Sequence, residues 1–109
     1  MLEALLGSRT RERVLMFVLA RDSGYGTEIS QFFDVDVAPV QKQLEKLEAG
    51  GVLVSKPVGR TRVYSFNPRF AFRTELLALL AKALSFYPAD VRLALAGNRR
   101  RPRRAGKPL

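Results

Sequence analysis

A mostly helical α+β fold is predicted by three features of the 109-residue chain. Apolar residues recur at steps of three and four near residues 9–21, 25–33, 36–49 and 70–86, which marks helices with a buried face. Between the third and fourth stretch the period drops to two, in "VLVSKPV" and "RTRVYSF" on either side of Gly59-Arg60, which marks a hairpin. The breaks fall at helix-stopping residues: Gly7, the run "DSGYG", Asp34, Gly50-Gly51 and Asn67-Pro68.

Each element has a local cause. "MLEALLGS" predicts a short amphipathic turn carrying Leu2, Leu5 and Leu6, and Ser8 is placed to cap a helix over 9–21 that is apolar nearly all round and so belongs at the centre. A short helix over 25–33 follows, with Ile29, Phe33 and the small Ser30 suited to close helix contact. Asp34 tolerates a left-handed turn, Val35 folds back as an apolar plug, and Asp36 is expected to cap the helix over 36–49. In that helix Val37, Val40, Leu44 and Leu47 form the core stripe, and Pro39 sits in the first turn, where its missing N–H removes no bond. The hairpin spans about 52–58 and 61–66, with Tyr64 and Phe66 in the core. A long helix over about 70–86 carries more leucines than one stripe needs, and Pro88 opens a short last helix ending at Gly97. One domain over residues 1–97 is expected, burying about two thirds of its surface, with residues 98–109 as a basic flexible tail.

The side-chain inventory restricts function. With no cysteine and no histidine, thiolate and imidazole metal sites, disulfides, and catalysis by Cys/His or Ser/His/Asp are closed to this chain, so no enzyme, cofactor or metal is expected. Asp34 and Asp36 make a lone D-x-D, far short of a calcium loop. The apolar run at 14–20 is too short to span a bilayer, and a cytoplasmic protein without membrane contact is expected. Nineteen lysines and arginines against ten acids give +9, of which Arg99, Arg100, Arg101, Arg103, Arg104 and Lys107 carry +6 in the tail. The attraction to a polyanion is thus concentrated at one end.

Helix, helix, helix, hairpin, helix is the order of a winged helix-turn-helix: a three-helix core, a two-stranded wing and C-terminal helices. The stretch "EISQFFDVDVAPVQKQLEKLEAGGVLV" resembles the ArsR-type and related bacterial winged-helix regulators, with Ile29 and Ser30, Phe33, Asp36, then Val40, Leu44, Leu47 and Gly51 at matching positions. The resemblance covers about residues 5–86 and implies a homodimeric, double-stranded-DNA-binding transcriptional regulator. The cysteine motif of arsenic-type sensors is absent from "YGTEISQFF", so metal sensing of that kind is not implied.

In such a regulator the start of the helix over 36–49 enters the major groove, which is wide enough for one helix. Ala38 and Pro39 are small enough to meet thymine methyls, and Gln41, Lys42 and Lys46 are placed for base edges or phosphates. At the wing, Lys56, Arg60 and Arg62 surround the hairpin tip and face the backbone or minor groove, where the arginines of the tail also fit. Leu2, Leu5, Leu6, Leu76, Leu80 and Leu84 supply surplus apolar surface for a homodimer. Two other readings fit the sequence. The run "GRTRVYSFNPRFAFRTELLALLAKAL" looks like the end of winged-helix domains found with minimal nucleotidyltransferases, implying an adaptor for a partner protein. The tail could also serve an RNA-binding factor.

Overall fold

The computed structural model describes residues 1–97 and holds six helices and one two-stranded antiparallel sheet among them. The first helix, α1 (Glu3–Leu6), ends at Gly7, whose φ of 95° is the left-handed conformation that suits glycine. Ser8 then accepts the Arg11 N–H at 2.9 Å and starts α2 (Arg9–Arg21), a cap of the kind worth about 1 kcal/mol. Val14, Leu15, Met16, Phe17 and Val18 of α2 are all buried, because every other helix packs around this one or its neighbours.

The run between α2 and the next helix does more than break the chain. Gly24 exchanges both backbone hydrogen bonds with Tyr64, at 2.8 and 2.9 Å, and so adds a single-residue rung to the sheet. A Cβ at Gly24 would lie 2.9 Å from Phe17 Cδ1, so the rung requires glycine for space.

Helix α3 (Gly26–Phe33) ends at Asp34 with φ 56°, and the Val35 N–H returns to Ser30 O at 2.9 Å, packing Val35 against the core. Helix α4 (Val37–Ala49) buries Val40, Leu44 and Leu47. Two expectations fail at its start. Val37 is 45% exposed rather than core: it lies one turn before Val40, and its Cγ2 stands beside Gly26 at the edge of α3, 3.6 Å from where a Cβ there would be. Asp36 holds the cap position but its side chain makes no cap bond.

After Gly51, at φ 80°, β1 (Leu53–Val58) and β2 (Thr61–Phe66) pair in the register Leu53↔Phe66 to Val58↔Thr61 about a two-residue turn with Gly59 at φ 62°. Asn67 clamps the base of this hairpin, its side-chain amide donating to Gly51 O at 2.9 Å and its backbone N–H to Val52 O at 2.9 Å. Helix α5 (Arg73–Leu84) starts three residues later than the apolar pattern suggests, because residues 67–72 are spent in turns. Helix α6 (Ala89–Gly97) packs back on α2.

Two buried charges fasten these last helices. Arg21 donates to Leu95 O at 3.0 Å and Ala94 O at 3.1 Å, capping the negative end of α6, while its guanidinium lies over the rings of Phe17 and Phe32. Glu12 accepts the Leu2 N–H at 2.7 Å and the Tyr87 hydroxyl, joining α2 to the chain start and to the α5–α6 turn. No helix among the described residues is long and apolar enough to cross a membrane.

Candidate nucleic-acid interface

Burial of Val40, Leu44 and Leu47 rotates the opposite side of α4 outward. Ala38, Pro39, Lys42 and Lys46 are exposed there, together with Val37 and Glu45. With Asp36 making no cap bond and Pro39 having no N–H, the first turn presents backbone donors at its Val37 and Ala38 end. The result is a blunt, small-residue helix tip with one lysine on its flank.

Gln41 departs from expectation. It is half-buried and its amide nitrogen donates to Tyr64 Oη at 3.2 Å and to Glu45 Oε2 at 3.2 Å. Its Oε1 stands 2.5 Å from where a Cβ on Gly26 would be. The side chain is therefore committed to the junction of α3, α4 and β2, because the buried Tyr64 hydroxyl needs a polar partner. Burial raises the Tyr64 phenol above its ordinary pKa, and the group is a neutral hydroxyl at physiological pH.

The wing cations do not form one cluster. Pairing of Pro57 with Arg62 and of Lys56 with Val63, combined with the alternation of a pleated strand, puts Lys56 and Arg62 on opposite faces. Arg62 shares the face of Tyr64 that turns to α4, and its Nη1 donates to Ser55 Oγ at 2.9 Å. The Ser55 hydroxyl in turn donates to Glu48 of α4. Lys56 belongs to the other face, bordering a groove of about 560 Å³ with Tyr25, Val58, Thr61 and Val63. Arg60 is exposed in the turn. Arg99, Arg100, Arg101, Arg103 and Arg104 lie outside the described residues.

The leucines expected at a dimer surface also divide. Leu80 is fully buried in this chain's own core, where α5 meets α2, and offers nothing to a second copy. Leu2, Leu6, Leu76 and Leu84 are half-buried against the core, and Leu5 is 66% exposed. A residue missed in the sequence completes the patch: Phe72, 65% exposed, stands edge-on to Phe70. With Leu5, Leu6, Leu76 and Leu79 these rings line an apolar groove of about 420 Å³. Among the described residues no group of three or more Asp or Glu side chains could hold a metal ion.

No protein-family model matches the chain, and no curated protein does. Solved structures do. An apo-form double mutant of ZitR from Lactococcus lactis superposes with a TM-score of 0.54 at 20% identity, over 72% of this chain and 63% of ZitR. The adhesin competence repressor AdcR of Streptococcus pyogenes superposes at 0.50 with 16% identity, over 83% of this chain and 76% of AdcR. At these identities the likeness is one of fold, and it agrees with the helix order and the paired wing described above. The chain is a winged helix-turn-helix domain. In this winged helix α3 and α4 form the helix-turn-helix pair, β1 and β2 the wing, and α1, α5 and α6 the surround. The domain spans 63% of the length of ZitR.

Proposed function

We propose that this winged helix is a double-stranded-DNA-binding transcriptional regulator of the ArsR-like kind that acts without catalysis. The observation that carries the reading is the outward face at the start of α4, where Ala38, Pro39 and Lys42 are exposed with no acid among them. A tip of that shape fits a major groove, and the +9 charge of the chain supplies attraction to phosphate. AdcR, one of the structural neighbours, is by name a repressor, which agrees with this role. In the bound state Lys42 contacts base edges or phosphates, Arg60 meets the backbone beside the groove, and the arginine tail adds sequence-independent affinity.

The reading includes pairing of two copies. The groove between Leu5 and Phe72 supports this, since exposed rings beside a leucine-lined hollow favour burial. Two recognition helices about 34 Å apart call for a palindromic operator.

Selection of bound duplexes from a random library at physiological salt tests the proposal. Enrichment of a two-fold symmetric site is expected, and Lys42→Ala should relax preference or weaken binding there. Failure to enrich any duplex, even in dilute buffer, removes the reading.

A further inference from the structure

The amide of Gln41 touches three elements at once. Its nitrogen donates to Tyr64 Oη in the middle of β2 and to Glu45 one turn along α4, each at 3.2 Å. Its oxygen fills the space over Gly26, at the start of α3, that any larger residue would claim. Tyr64 is itself immobilised, paired with Ser55 of β1 on one side and with Gly24 on the other. One turn further along α4, Glu48 accepts from Ser55, which also accepts from Arg62. The wing is thus bonded to the recognition helix at two points, Gln41 and Glu48, about two turns apart. Its tip, Gly59-Arg60, is exposed and makes no such contact, so the base decides where Arg60 points.

Resting on the DNA-binding reading above, we propose that Gln41 is a positioning residue and not a reader of bases: it pins the wing to α4 so that Arg60 and Lys42 meet the duplex together. Holding the wing before binding removes an ordering cost that would otherwise fall on the complex. Gly26 belongs to the device. Its backbone is not in the left-handed region, so alanine suits the chain there, and the clash at 2.5 Å is with the free end of a flexible side chain. Gly26→Ala therefore evicts the amide while leaving α4 and the wing chemically intact.

The two roles for Gln41 leave opposite signatures. A base reader, once removed, alters preference at one position and leaves the salt dependence unchanged. A wing pin, once removed, costs the phosphate contact of Arg60, so log K against log salt flattens by about one unit although no charge has been deleted.

The test uses the whole chain and its selected duplex, titrated across salt concentrations, with competition by single-base variants. Gln41→Ala, Tyr64→Phe and Gly26→Ala should each weaken binding about three- to tenfold, flatten the slope by about one and keep base preference. The pair Gly26→Ala with Gln41→Ala should bind no worse than Gln41→Ala alone. In the free protein, hydrogen exchange at amides 61–64 should quicken in all three single variants. Altered base preference with an unaltered slope overturns the inference, as does unchanged exchange in the wing. Absence of duplex affinity in the unaltered chain overturns the DNA reading instead, and wing exchange still reports whether the pin exists.

Discussion

Gly24 shows how much one missing side chain can decide. Its backbone is stitched to Tyr64 while the flat of its Cα faces the Phe17 ring, leaving 2.9 Å for any Cβ. Phe17 is fully buried and cannot swing aside, unlike the amide that faces Gly26. Gly24→Ala should therefore destabilise the fold by about 1–3 kcal/mol, read as a lower urea midpoint with an unchanged m-value. Tyr87 offers a second residue-level expectation. Burial, aided by its bond to the Glu12 carboxylate, raises its pKa above the ordinary 10.0. The folded state thus holds this proton more tightly than the unfolded chain does. The resulting stability is complete below pH 10 and declines as pH climbs above it. Tyr87→Phe should lower stability near neutrality by about 1 kcal/mol and make the alkaline decline shallower, as measured by denaturation at a series of pH values.

At the scale of elements, α4 carries the contrast between its two ends. Leu44 is fully buried, and Leu44→Ala should cost about 2–5 kcal/mol. Val37, which the apolar spacing assigns to the same stripe, is 45% exposed, and Val37→Ala should stay within about 0.5 kcal/mol in the same denaturation assay. Helix periodicity identifies a face but not how completely each position on it is covered, so the stripe was legible and its half-exposed first residue was not. The hairpin was legible for the same local reason: alternation, β-branched residues and a Gly59 turn all lie within one short stretch. What alternation could not supply is that Lys56 and Arg62 are separated by the sheet, because that depends on the register of pairing. Local pattern places Gln41 for base edges or phosphates, since nothing beside it in the chain reveals a buried tyrosine hydroxyl 23 residues away.

For the molecule as a whole, the apolar groove beside Leu5 and Phe72 is the feature that bears on assembly. Leu5→Glu with Phe72→Glu places two charges on it without disturbing buried packing, since both residues are more than half exposed. On the proposed pairing of two copies, the unaltered chain should sediment as a dimer at tens of micromolar and the variant as a monomer, and affinity for a symmetric duplex should fall while half-site binding persists. The sequence alone determined the order and kind of the elements, the lack of imidazole and thiol groups, and the surplus of positive charge. These follow from spacing and composition, which act over a few residues or over the sum of all. Tertiary structure alone decided which side chains are available. Arg21 is consumed in capping carbonyls 73 and 74 residues away, Gln41 in holding Tyr64, and Leu80 in the chain's own core. Buried polar groups must find partners wherever the fold brings them, and those partners lie beyond the reach of any local pattern.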